Sequence, residues 1–430
     1  MNDLDKVKKS PGFRTLDPFW YTFGAFLFVF FWFFIRSVFF NPSRVMMVFE
    51  TVRRLDPIGY DLMMMVSHAT AWLEHSVSPF ASFNNFPPFA TLLFTPFSLV
   101  SLPTAYSIIT IITLAGLLWS GFVFPYLQQN PRAIKPVLVL VFTSTLISYG
   151  LQFEIERGQF YTLAFALAFL GVYIFHRHPR LSWFAYILFT LAIQLKMFPA
   201  LLIFLFVRDW RDWRGNLLRI FGLGLVNFAL FFILGWNKFL EFMNILFAMN
   251  DDPGIWVGNF SVRSFTHRAL PVILKRFDIT TGWLENGAGV IEALLLGLVV
   301  LLMGLGIYKA FRQNRGGIDP YLLFLCTAAA LVIPPISHDY KLPLLTGPAA
   351  ILLMSLQIPK PCSRWRSVFL MGAVILFSLA YFSTQYSYSM KSPHLANNFP
   401  AVLGMMGVAA TLAFINPIQD ERKNFSNSEI

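Results

Sequence analysis

Apolar residues fill this chain in runs of about twenty, broken by short basic or proline-containing connections. In lipid a backbone must satisfy its own polar groups, so runs of that length predict membrane-crossing helices. The pattern predicts an all-α, polytopic transmembrane bundle with about twelve crossings: near 17–40, 104–126, 136–153, 159–175, 181–195, 197–207, 216–235, 289–311, 318–336, 341–357, 366–384 and 399–416. Basic connections fix the sides, because Lys and Arg accumulate in cytoplasmic loops. The amino-terminal lysines and the clusters at Arg132/Lys135, Arg177/Arg180, Arg208/Arg211/Arg214, Lys309/Arg312/Arg315, Lys360/Arg364/Arg366 and Arg422/Lys423 all fall inside under this one topology. The first run, 17–40, is too long for a signal-peptide core and reads as a retained crossing.

Two runs need separate treatment. Residues 87–102 are short and bounded by Pro87-Pro88 and Pro103; counted as a crossing, they would move the later basic loops outside. They are therefore expected to lie on or partly in the outer leaflet. The stretch 181–207 carries Lys196 in its middle. A lone mid-membrane lysine costs at least about 2.5 kcal/mol, so two short helices meeting outside at Lys196 are expected. The domain plan that follows is a cytoplasmic tail over 1–16, one membrane domain over 17–416 and a second cytoplasmic tail over 417–430. Long outer loops are expected at about 41–103, which includes interfacial helices, and at about 236–288.

Composition agrees with the pattern. Hydrophobic residues make up 56% of the 430 residues and charged residues 13%, with a mean hydropathy of +0.61; soluble proteins carry about 25% charged residues. The net charge of +11 then reads as topogenic Lys and Arg rather than a nucleic-acid surface, since no basic stripe interleaved with aromatics sits on a soluble module. Cys326 and Cys362 form no CxxC pair or metal spacing.

Under this topology the polar chemistry gathers on the outer face. Asp61 opens an amphipathic segment (Leu62, Met65, Ala69, Trp72 and Leu73 on its apolar side) expected to lie in the interface. As a carboxylate at a helix amino terminus Asp61 is favourable with the helix dipole, the first reading of its position; at a lipid–water boundary it is also a candidate general base. Asp56 is a second-rank candidate, and His68 and His75 lie seven residues apart without a third ligand at metal spacing. Further polar groups follow at Glu154-x-Glu156-Arg157-Gly158-Gln159, at Lys196, at Asn259-x-Ser261-x-Arg263 with His267 and Arg268, and at Ser337-His338-Asp339-Tyr340-Lys341. Each alone reads as a solvated helix end. Together on one side, the cations Lys196, Arg157, Arg263, Arg268 and His338 suit a phosphate, and first-loop carboxylates suit activation of a nucleophile. No Ser-centred elbow, Walker loop or HExxH occurs, the first outer loop has no DxD pair, and no metal is expected.

The order of these motifs resembles GT-C superfamily membrane glycosyltransferases, of the bacterial polyprenyl-phosphate-mannose-dependent mannosyltransferase type. The likeness rests on Asp61 at the start of a small-residue helix, the Phe86-Pro87-Pro88 segment leading to Pro96, Gly158-Gln159, Lys196-x-x-Pro199, Asn259-x-Ser261 with a following Arg268, and Ser337-His338-Asp339-Tyr340. It covers about residues 17–350. Where the family usually has Tyr before the prolines, this chain has Phe86, so no polar role transfers there.

The resemblance implies inverting transfer of a sugar from polyprenyl phosphate to a lipid- or glycan-linked hydroxyl, with no cofactor. Asp61 would be the general base, and Lys196, then Arg268, Arg263 and His338, the donor-phosphate contacts. Gln159, Asn259, Ser261, Asp339 and Tyr340 would position substrate. Mannose is the family-weighted sugar, with a pentose open. Such enzymes work in the bacterial plasma membrane, with both termini cytoplasmic and the site outside. A lipid-linked glycan flippase or small-solute transporter is the rival reading; it predicts mid-membrane charges and inverted repeats, neither strong here. A non-catalytic assembly protein would not need a one-sided polar constellation.

Overall fold

The computed structural model describes residues 59–82, 84–128, 135–146, 148–251, 259–279, 282–314, 316–355 and 397–415, with isolated positions 24 and 27. Asp56, both tails, most of the 17–40 crossing and all of the 366–384 crossing lie outside the described residues. What is described is all helical, apart from one isolated antiparallel bridge between Asn259 and His338.

The helices are α1 (Tyr60–His75), α2 (Pro88–Phe94, prolonged by a 3-10 turn Thr95–Leu99), α3 (Leu102–Gln128), α4 (Pro136–Leu146), α5 (Tyr149–Arg157), α6 (Tyr161–Arg177) and α7 (Ser182–Leu195). After a 3-10 helix Phe198–Leu205 come α8 (Trp213–Leu230), α9 (Trp236–Asp251), α10 (Leu270–Arg276), α11 (Gly282–Gln313), α12 (Pro320–Val332), α13 (Thr346–Ser355) and α14 (Phe399–Ile415). Among the described residues two helices are long and apolar enough to cross a membrane, Leu102–Gln128 and the Gly287–Gln313 part of α11. The structure thus gives a membrane helical protein without fixing the number of crossings.

Exposure sorts the helices. Every residue of α12 is buried, as expected for a helix apolar all round at the centre of a bundle. On α8 and α11, by contrast, Leu218, Phe221, Leu225, Phe228, Val290, Leu294 and Leu301 are exposed. Such large apolar side chains facing outward suit a lipid surround, since lipid tails are as apolar as the core.

Three sequence expectations are refined. The 136–153 run is not one helix: α4 and α5 are bent 47° apart, and Ser148 caps the second, its hydroxyl accepting from Leu151 N–H at 3.2 Å. The expected outer junction at 154–159 consequently shrinks, because Glu154 to Arg157 remain helical. The 197–207 run is a short 3-10 helix, whose eight residues at about 2 Å rise extend about 16 Å, half a bilayer core. The 236–288 stretch is largely helical: α9 folds back on the end of α8 through Phe232–Phe239 ring contact at 4.2 Å. It also meets the first long segment, through Phe80–Phe242 at 5.6 Å and a Ser78–Glu241 hydrogen bond. The two segments that the basic-loop pattern puts on one side therefore touch.

Candidate active site

Two glycines bring the site together. Gly59, ahead of α1, and Gly158, closing α5, both adopt left-handed backbone (φ +79° and +67°), a conformation open to Gly at little cost. Gly158 ends α5 in a Schellman arrangement: Gln159 N–H donates to Glu154 O at 2.9 Å and Gly158 N–H to Ile155 O at 2.9 Å. The two loops pack back to back, with Gly59 N–H donating to Glu156 O at 2.7 Å. A Cβ at Gly158 would stand 2.9 Å from Leu62 Cβ and 3.1 Å from Gly59 Cα. This contact sets the start of α1 against the end of α5.

Asp61, in the first turn of α1, therefore faces Arg157 and Gln159. Arg157 grips it with two parallel bonds, Nε to Oδ2 at 2.9 Å and Nη2 to Oδ1 at 2.7 Å, the fork geometry that fits guanidinium to carboxylate. The pair is partly shielded, with side chains 24% and 18% exposed. Gln159 Nε2 donates to Asp61 Oδ2 at 2.6 Å. Three of the roughly four acceptor positions of a carboxylate are thus engaged, and Asp61 is fixed in orientation.

The same glutamine reaches a buried cation. Lys196, in extended backbone between α7 and the 3-10 helix, donates from Nζ to Gln159 Oε1 at 3.2 Å. Its ammonium lies over the rings of Phe86 at 3.6 Å, Tyr161 at 4.0 Å and Phe160 at 4.9 Å. Gln159 Oε1 is its only hydrogen-bond acceptor among the described residues, whereas an ammonium carries three donors. Burial pulls Lys196 well below its ordinary pKa, while Asp61 and Glu154 act in the opposite direction. Two carboxylates thus lie within electrostatic reach of this lysine, and two of its three donors have no acceptor among the described residues.

A second segment closes the cluster. The antiparallel contact between 259–261 and 335–338 carries Tyr340 and Lys341 toward α6: the Tyr340 and Tyr161 rings are 5.3 Å apart, and Lys341 Nζ lies 4.0 Å over Phe198 and 5.0 Å over Tyr161. His338 packs edge-on to Tyr340 at 5.3 Å. It keeps some surface exposure, but burial, then the nearby Lys341, Arg157 and Lys196, push its imidazole down to about 3.

The sequence-predicted residues divide accordingly. Asp61, Gln159, Lys196, His338 and Tyr340 come together. Asn259 and Ser261 are buried and engaged in holding the chain: Asn259 Oδ1 accepts from Ser337 N–H (2.9 Å) and Ser261 N–H (3.1 Å), and Asn259 Nδ2 and Ser261 Oγ both donate to Pro335 O. Asp339 accepts from Asn398 Nδ2 at 2.8 Å and belongs to the same scaffold. Arg263 lies 3.8 Å from Glu292, which also binds His267 at 2.9 Å, and Arg268 is exposed on a π turn; neither joins Lys196 in these contacts. His68 bonds Ser82 at 2.7 Å. No group of three metal-ligating side chains occurs among the described residues.

Several contributors were not expected. Arg157, which the sequence pattern groups with the phosphate cations, holds Asp61 instead. Tyr161, Phe86 and Phe198 enclose the two lysines; nothing in a helix of apolar and aromatic residues distinguishes Tyr161 from core. Asn397 and Asn398, from a region without a readable motif, bind Asn259 O (3.0 Å) and Asp339. Only a pair of adjacent amides at the head of an apolar helix hinted at them.

An all-helical chain with membrane-length apolar helices thus brings a shielded carboxylate and a buried lysine together among aromatic rings. The chain belongs to glycosyltransferase family 87, a GT-C-type membrane glycosyltransferase family, whose model matches residues 84–335. No curated protein and no solved structure matches it. Asp61 lies before the matched stretch and His338 to Lys341 after it, so the fold joins both flanks to Arg157, Gln159 and Lys196 inside it.

Proposed function

We propose that this glycosyltransferase moves a sugar, mannose, from polyprenyl phosphate to a lipid- or glycan-linked hydroxyl at the outer face of the membrane, with inversion. The observation that carries the reading is the bridge Asp61–Gln159–Lys196: one amide holds a carboxylate at 2.6 Å and a buried ammonium at 3.2 Å. The two charges an inverting transfer needs are thereby held at a fixed separation.

In the reaction, the acceptor oxygen forms a bond to the sugar C1 as the bond from C1 to the phosphate oxygen breaks. The acceptor proton passes to the remaining lone pair of Asp61, and polyprenyl phosphate leaves with the bonding electrons. Arg157 and Gln159 hold the carboxylate in line. Lys196 receives the phosphate, with His338 and Lys341 bordering the same space. Preorganised charge and positioning of this kind supply most of such a rate enhancement.

The test is Asp61→Asn in purified protein given polyprenyl-phosphate mannose and candidate acceptors. General-base assistance is worth about 10²–10⁴-fold, so transfer should fall by at least about a hundredfold while the protein still binds donor. Undiminished transfer removes Asp61 from the mechanism.

A further inference from the structure

At the end of α7 opposite Lys196, the surface has the form of a lipid site. A groove of about 740 Å³, walled almost entirely by apolar atoms, runs between α7 and α8 and is covered by Phe89 of α2. Its walls include Ile187, Leu191, Leu223, Val226 and Leu230. Its foot is Arg219 with Tyr186, on the second turns of α8 and α7. From Arg219 to Leu230 a helix rises about 16 Å, close to half of a roughly 30 Å hydrocarbon core, the depth of one leaflet.

The foot carries the marks of a headgroup level. Trp183 and Trp213 are there, 61% and 63% exposed, and aromatic residues of this kind collect at membrane–water boundaries. Six arginines (Arg177, Arg180, Arg208, Arg211, Arg214 and Arg219) stand against two carboxylates. Both carboxylates are engaged by local donors: Asp209 accepts from Arg211 N–H and Asn314 Nδ2, and Asp212 caps Gly215 N–H. Arg219 is partly buried. Its Nε donates to Tyr186 OH at 3.0 Å, and Nη1 to Phe206 O and Asn216 Oδ1 at 3.0 and 2.8 Å. These bonds hold the guanidinium rigidly and leave Nη2 without an acceptor among the described residues.

We propose that the groove binds one glycerophospholipid with an anionic headgroup. An acyl chain lies along α7 and α8, and the phosphate group meets Arg219 Nη2. The inference does not depend on the identity of the sugar donor or on the role of Asp61, because the foot lies ten residues along α7 from Lys196, about 15 Å away.

Gly222 provides the decisive variant. It lines the groove, and a Cβ there would meet nothing within 4 Å, so Gly222→Leu fills the groove without displacing protein atoms. The full-length protein, stripped of lipid in detergent, is given equal phosphatidylglycerol and phosphatidylethanolamine, and the retained lipid is weighed by native mass spectrometry. The wild type should retain one phosphatidylglycerol in preference, and Gly222→Leu should retain none. Arg219→Gln should cut the preference by about fivefold, the value of one arginine near a lipid surface. If Arg219→Gln fails to fold, the wild-type preference and Gly222→Leu still decide. Equal retention of both lipids by the wild type, undiminished retention by Gly222→Leu, or a prenyl phosphate displacing the phospholipid would each overturn the proposal.

Discussion

Replacing Gly158 by alanine tests whether the contact between α1 and α5 builds the site. Two separate penalties act there. An L-residue in left-handed backbone (φ +67°) costs about 1–2 kcal/mol. The new methyl would also stand 2.9 Å from Leu62 Cβ, where carbon pairs settle at about 3.5–4.0 Å. Leu62 is fully buried and Gly59 Cα, 3.1 Å away, is backbone, so neither can swing aside and α1 must move by about half an ångström or more. Overpacking of this kind costs about 1–3 kcal/mol, which gives about 3 kcal/mol in total and, for a chain of 430 residues, a fall in melting temperature of about 3 °C. The movement acts on Asp61, the neighbour of Leu62, whose bonds to Arg157 and Gln159 are 2.6–2.9 Å long. A misplacement approaching 1 Å costs about a hundredfold in rate. The assay pairs thermal melting in detergent with sugar transfer by the purified protein. Gly158→Asn separates the penalties: asparagine tolerates left-handed backbone but brings the same Cβ, so it should recover part of the stability and little of the activity. An alanine variant that melts and turns over like the wild type would refute the reasoning.

Further outcomes follow from the same geometry. Lys196→Met should leave stability equal or higher, since burial disfavours the ammonium, while raising KM for the donor at least about tenfold, as expected for a lost charged hydrogen bond; unchanged KM would remove Lys196 from phosphate binding. Asn398→Ala should lower stability by about 1–3 kcal/mol, read from chemical or thermal unfolding, because buried Asp339 loses a 2.8 Å bond. His338 sets a pH dependence. Its imidazole is pushed from 6.5 down to about 3 in the fold, so protonation favours the unfolded chain. The stability it contributes is complete above about pH 6.5 and declines as pH falls from there toward 3, by about 1 kcal/mol at pH 5.5. His338→Gln should flatten this part of the melting-temperature profile, and an unchanged slope would assign it to other groups.

The sequence alone determined that this is a helical membrane protein and where its polar clusters interrupt the apolar runs, because apolar run length and basic-loop placement are local properties of the chain. The positions of Asp61, Gly158-Gln159 and Lys196 were legible for the same reason: each sits at a helix end where proline, glycine or a charge interrupts an apolar run. Roles were less legible than positions. Arg157 reads as one more phosphate cation until α1 and α5 are seen packed through Gly59 and Gly158, 99 residues apart in sequence. Asn259, Ser261 and Asp339 read as substrate contacts until their partners, Pro335, Ser337 and Asn398, are in place. The break between α4 and α5 was hidden because a kinked helix and a straight one share the same apolar composition. Only the tertiary structure decided which polar groups satisfy each other and which remain for a ligand. That division depends on contacts between residues distant in sequence, and no local pattern encodes them.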